Sequence, residues 1–160
     1  MGSLSSDASD KKVLSDRGFH GTTLNQSKHW NLDNAFNHLI SKGLSSIHAK
    51  GILTNAWRES QLNARAVGDH GTSLGLFQWH AVRKHHMLKT LGTQWSNPFK
   101  QLDYLFIEPV NLSGYSIEEY KRTRFVSVQA AADAWMRKWE RPASPLKASI
   151  KHQSIIKKLW

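Results

Sequence analysis

From Asn31 onward the apolar positions fall at helical spacing, and polar caps and glycines cut them into segments. NLDNAFNHLISKG opens on Asn31, a favoured N-cap, and stops at Gly43. In SSIHAKGILTNAWRES, Ala49, Ile52, Leu53 and Ala56 recur at i, i+3, i+4 and i+7, so one apolar stripe is expected. AVRKHHMLKTLG reads as a helix closed by Gly92. NPFKQLDYLFIEP has Asn97 as cap, Pro98 at the first helical position and Pro109 as the stop. In SIEEY, Ser116 and Glu119 stand at capping-box spacing. The clearest period lies in SVQAAADAWMRKWERP, where Val128, Ala131, Ala132, Trp135, Met136 and Trp139 predict a central core helix ended by Pro142. The basic tail PLKASIKHQSIIKKLW is amphipathic. Packing on the domain is its expected use, and docking on an anionic surface is the other.

Two stretches break this pattern. Met1 to Lys28 is rich in Ser, Asp, Gly and Lys and is expected to be a mobile arm ahead of a domain over 29–160. Gly68, Gly71 and Gly75 punctuate a short span that reads as a hairpin or irregular loop. The expected fold class is therefore mainly α (α+β).

Composition narrows the picture further. The chain has 160 residues, 39% of them hydrophobic and seven of them Trp, which suffices for a core without staples. Cysteine is absent, so neither a disulfide framework nor a thiolate zinc site is available. No apolar run approaches the ~20 residues of a membrane span, so stable membrane insertion is not expected. The opening MGSLSSDASDKK lacks the apolar core of a signal peptide. The expectation is synthesis in the cytoplasm, with any exit by lysis, a virion or a dedicated apparatus. A formal net charge of +10 favours a polyanionic partner: nucleic acid, an anionic membrane surface or a bacterial envelope polymer.

Candidate chemistry centres on Glu59. It lies seven residues after Ile52 and three after Ala56, on the apolar face of its helix and near the helix end. Desolvation there raises a carboxyl pKa, which suits a general acid that protonates a glycosidic oxygen. An ion pair with Arg58, Arg65 or Arg83 is the alternative, and it would keep Glu59 ionised. The loop that follows, GDHGTSLGLFQWH, permits close backbone approach at its glycines and supplies Ser73, Gln78 and Trp79 as sugar-binding groups.

Gly51-Ile52, Asn55, Glu59-Ser60, Asn63, Ala66-Val67-Gly68, the run Gly71 to Trp79, Arg83, Gln101 to Leu105 and Glu140-Arg141-Pro142 occur in that order. This set resembles the goose-type lysozyme and lytic transglycosylase superfamily, and within it the phage-tail-lysozyme type of domain. The resemblance implies a lysozyme-like fold with a small β-hairpin beside the cleft. It implies cleavage of the β-1,4 bond after N-acetylmuramic acid in peptidoglycan, with Glu59 as proton donor and Ser73, Gln78, Trp79 and Tyr104 near the sugar. Ala64 stands where a turn proline is usual, and Ala81 where a glycine often precedes the arginine.

Asp69 is the candidate second carboxylate, as a base holding water, or else it simply favours the turn in which it sits. In the second case the sugar's own 6-hydroxyl attacks, as in lytic transglycosylases. No cofactor and no metal are expected. The partner expected is the peptidoglycan glycan strand, and the protein is expected to act as a monomer. The setting is an endolysin, a virion enzyme or a delivered toxin, and a toxin implies an immunity protein that fills the cleft. GTSLG also satisfies the serine nucleophile elbow, but that motif needs a strand, a helix and a large parallel sheet around it. Nine histidines are read as dispersed surface residues, since H-E-x-x-H is missing. A basic nucleic-acid-binding module is the non-enzymatic alternative, disfavoured because the Trp residues of WMRKW fall on a core stripe.

Overall fold

The computed structural model describes residues 29–160; the arm expected over 1–28 lies outside the described residues. Asn31 caps α1 (Leu32–Ser41) by accepting from Asn34 N at 2.8 Å. Ser45 caps α2 (Ser46–Ser60). A small antiparallel sheet follows, with β1 (Val67–Gly68), β2 (Ser73–Leu74) and β3 (Trp79–His80) in that spatial order. Then come α3 (Val82–Leu91), α4 (Pro98–Tyr104), α5 (Val110–Ser113), α6 (Ile117–Arg122), α7 (Val128–Trp135) and α8 (Pro145–Leu159). The fold is mainly helical, with this small sheet beside it.

α2 forms the axis of the core. Ala49, Ile52, Leu53 and Ala56 are fully buried, as their stripe requires. α7 crosses closely over α2 at Gly51, where an added Cβ would lie 2.6 Å from Tyr120 Oη and 2.9 Å from Ala131 Cβ. Glycine is thus needed in mid-helix despite its propensity. α8 packs on both α2 and α7, burying Ala148 and His152, and Trp160 Nε1 donates to Thr54 Oγ1 at 3.2 Å. The tail's apolar face is therefore used within the fold.

The structure departs from the sequence reading in three places. The LFQWH segment adds a third strand to the expected hairpin, with Leu74 opposite Trp79 and Ser73 opposite His80. α4 stops at Tyr104, and the chain tightens through i→i+3 bonds from Leu105, Phe106 and Ile107. The long helix expected from Val128 ends at Trp135 and widens into a π-helical turn over Met136–Glu140. Arg141 N closes that turn onto Met136 O at 2.7 Å, and Arg141 exits with φ 52°, one residue before Pro142.

Candidate active site

A cleft of about 790 Å³ runs between the end of α2, the sheet, the start of α3 and the π-helical turn. Glu59, Asp69, Ser73, His80, Arg83 and Glu140 line it.

α2 delivers Glu59 at its last turn, with 19% of the side chain exposed. The chain then leaves sharply, since Gln61 and Leu62 are both left-handed at φ 53° and 64°. Ser60 ties this exit to the glycine loop: its hydroxyl lies 2.8 Å from Leu76 O and 3.0 Å from Ala56 O. Both expectations for Glu59 are present together. Arg58 Nη1 pairs with Glu59 Oε2 at 2.9 Å. Burial nonetheless dominates and raises the Glu59 pKa above the ordinary carboxyl value, Arg58 opposes it, and the Asp69 charge adds a smaller rise.

Arg58 is held from behind. Its Nη2 donates to Asn55 Oδ1 at 2.9 Å and its Nε to His152 Nε2 at 2.9 Å. Because Nε2 accepts, His152 is the neutral Nδ1–H tautomer, which donates to Asp133 Oδ1 at 2.8 Å. Burial accordingly depresses the His152 pKa to about 4. Ser149 and Gln129 also donate to Asp133 and, with His152, hold its carboxyl below the usual range against the opposing effect of burial. A chain of contacts thus runs from α8 through α7 to the acid.

The opposite wall is the sheet. Register places Gly68, Ser73 and His80 side by side. Asp69 sits in the turn between β1 and β2 with its side chain 70% exposed. Its Oδ2 accepts from Ser73 Oγ at 2.6 Å, and Ser73 Oγ is 2.9 Å from His80 Nδ1. Gly75, at φ +89°, allows the buried Gln101 to approach; a Cβ there would lie 2.8 Å from Gln101 Oε1. Gln101 then pins the loop by accepting from Leu76 N at 2.9 Å and donating to Ala64 O at 2.9 Å.

This geometry removes the serine-elbow reading. Ser73 and Asp69 face the same ring nitrogen of His80, and Ser73 lies within a short antiparallel sheet. A triad places the acid on the histidine nitrogen that faces away from the serine.

Two of the anticipated sugar contacts are elsewhere. Trp79 is 1% exposed and packs its ring against Phe77, Tyr104 and Trp139. Tyr104 is fully buried, its hydroxyl 2.6 Å from His86 Nδ1. Both belong to the aromatic core that supports the sheet and cannot stack on a sugar in the cleft. Gln78 lines the cleft, but its amide nitrogen donates to Ala66 O and Gly75 O and holds the loop. Histidines 48 and 152 are buried, so the surface reading fails for them. Trp135 and Trp139 stack at 4.8 Å inside the core.

Several groups meet here to which the sequence reading gave no role, and Arg83, offered there as a partner for Glu59, pairs elsewhere. His80 and Glu140 line the cleft. Arg83 forms a bidentate pair with Glu108 at 2.8 and 2.9 Å and lies 4.1 Å over the Trp139 ring. Burial, then the Glu59 charge, raise the Glu140 pKa well above the ordinary value. The ordered motif set held Glu140, but spacing alone carried no signal that its carboxyl would be buried in the cleft.

A helical domain that presents an acid at a helix end, faced across a cleft by a small antiparallel sheet, is of the lysozyme-like class. Residues 31–158 match the family described as phage tail lysozyme, and the chain belongs to that family. Its function is accordingly lysozyme-like and peptidoglycan-lytic. A search of curated proteins returns no match.

Proposed function

We propose that the protein hydrolyses the β-1,4 bond between N-acetylmuramic acid and N-acetylglucosamine in peptidoglycan glycan strands. The observation that carries this reading is a partly buried carboxyl with raised proton affinity, Glu59, in one cleft with the exposed carboxylate of Asp69. Glu59 passes its proton to the glycosidic oxygen as the bond to the anomeric carbon breaks. Ser73 occupies Asp69 Oδ2, and Asp69 Oδ1 holds the water that attacks from the other face of the ring. His80 shares the Ser73 hydroxyl and steadies this arrangement.

Lysis of purified peptidoglycan by three variants tests it. Glu59→Gln removes the transferable proton, and its rate should fall by about 10⁴-fold, the upper end of acid–base effects. Asp69→Asn should lose at least ~100-fold with little change in folding, since that side chain is exposed. Ser73→Ala should lose only ~10-fold, as for one hydrogen bond of about 1.4 kcal/mol. An active Glu59→Gln beside a dead Ser73→Ala would sink the glycosidase assignment. Near-normal activity in Asp69→Asn would assign Asp69 to the turn and favour attack by the sugar's 6-hydroxyl.

A further inference from the structure

Glu140 closes the π-helical turn that interrupts the core helix. Such turns recur at functional sites because the extra residue redirects a side chain. Here the turn directs Glu140 into the cleft that Glu59 also lines. The backbone just before it is fixed, because Arg83 Nη1 donates to Trp139 O at 3.0 Å while its guanidinium lies over the Trp139 ring. Glu140 Oε2 is buried and has no hydrogen-bond partner.

The neighbouring charges explain what state this carboxyl takes. The charges that act on it are those of Glu59 and Arg58 on α2, Arg83 on α3 and Glu108 in the segment after α4. Asp69 and His80 stand on the sheet side of the same cleft. Each cation is already committed. Arg83 is clamped to Glu108, and Arg58 serves Glu59, Asn55 and His152. Arg141 donates to the carbonyls of Ser113 and Lys138. An ionised Glu140 would place charge on an oxygen, Oε2, that is buried and has no hydrogen-bond partner, which is unfavourable. A buried carboxylic acid is instead a hydrogen-bond donor that needs an acceptor.

We propose that Glu140 is a positioning residue of the acid centre, whose carboxylic acid group donates a hydrogen bond to the Glu59 carboxylate that forms when Glu59 gives its proton to the leaving oxygen. This rests on the reading of Glu59 as proton donor. The Glu140 O–H bond stays intact throughout. The attacking water gives its proton to Asp69, which passes it to solvent, and Glu59 is reprotonated from solvent, so the turnover balances. The raised proton affinity of Glu140, caused by burial and then by the Glu59 charge, supports the assignment, since it favours the protonated form that carries the donor hydrogen. The effect on Glu59 is to make it a stronger acid than burial alone would allow.

Two variants, E140Q and E140M, test this through pH–rate profiles on purified peptidoglycan and through carbon-13 NMR titration of the glutamate carboxyls. The glutamine amide still donates, so E140Q should stay within ~10-fold of wild type, with the basic limb and the Glu59 titration unmoved. Methionine cannot donate. E140M should lose about 10–100-fold in kcat, the range for a hydrogen bond to a charged group, and its Glu59 titration should move to higher pH. A wild-type rate and titration in E140M would overturn the proposal. So would a Glu59 titration moved to lower pH in E140Q, because that would mean a negative charge had been removed. If E140M does not fold, E140Q alone decides on that criterion. The NMR readout needs no turnover, so a failure of Glu59 as donor, seen as an active Glu59→Gln, is distinguishable from a failure here.

Discussion

His152 should make the protein sensitive to mild acid. It is fully buried, it accepts from Arg58 Nε, and protonation would set an N–H against that guanidinium. The folded state therefore holds it neutral, with a pKa lowered from 6.5 to about 4. The unfolded chain takes up this proton first as pH falls. The stabilisation is thus present above pH 6.5 and is lost as pH drops towards about 4. At 1.36 kcal/mol per unit the full loss is about 3–4 kcal/mol, and about three-quarters of it is gone by pH 4.5. Glu59 and Glu140 have raised proton affinities and tilt stability the other way in this range, so the comparison must be with a variant that keeps both. His152→Gln serves, because its amide oxygen accepts from Arg58 and its nitrogen donates to Asp133. Urea unfolding should find the variant less stable than wild type at pH 7 by about 1–2 kcal/mol, as for imperfect hydrogen bonds. By pH 4.5 the gap should close or reverse. A gap of the same size at both values would mean that His152 is not held neutral and that the Arg58 anchor is misread.

Ala81 adopts φ 52°, ψ −117°, a glycine-favouring conformation at the junction of β3 and α3. Ala81→Gly should relieve about 1–3 kcal/mol of strain against about 0.4–1 kcal/mol of added unfolded-state entropy, for a net gain near ~1 kcal/mol and ~3 °C in Tm; a lower Tm would show that the backbone there is unstrained. Because the folded pKa of Glu59 is raised, its ionisation destabilises the fold as pH rises from 4.5 through the folded value. Glu59→Gln should hold or raise Tm at pH 7 and converge on wild type at pH 4, and a large loss at pH 7 would contradict the sign. With a net charge of +10, lysis of whole cells should fall with salt while cleavage of short neutral glycan fragments should not. Equal salt dependence on both substrates would remove the electrostatic contribution.

What the sequence revealed follows from the range of the forces involved. Local signals were legible: the caps at Asn31, Asn97 and Ser116, and the stripe from Ala49 to Ala56 that puts Glu59 at the core side of its helix end. The glycine turn was legible too, although Gln101, the residue that pins it, acts from 25 residues away. Trp79 and Tyr104 were misjudged because an aromatic beside a loop suits a sugar platform and a core wedge equally well. Only the packing against Phe77 and Trp139 decides. The Arg58–His152 contact joins residues 94 positions apart, and no local spacing encodes it. Glu140 stayed hidden because a strict 3.6-residue period has no place for the π-helical turn that carries it into the cleft.

Mass analysis of the muropeptides released from purified peptidoglycan tests the central claim most directly. Wild type should cut within the glycan strand and leave N-acetylmuramic acid at reducing ends, and Glu59→Gln should release none above background. Products ending in 1,6-anhydro sugars would keep Glu59 as the acid and replace the Asp69-held water with the sugar's own hydroxyl. Products cut at peptide bonds, or an unchanged product set from Glu59→Gln, would contradict the account.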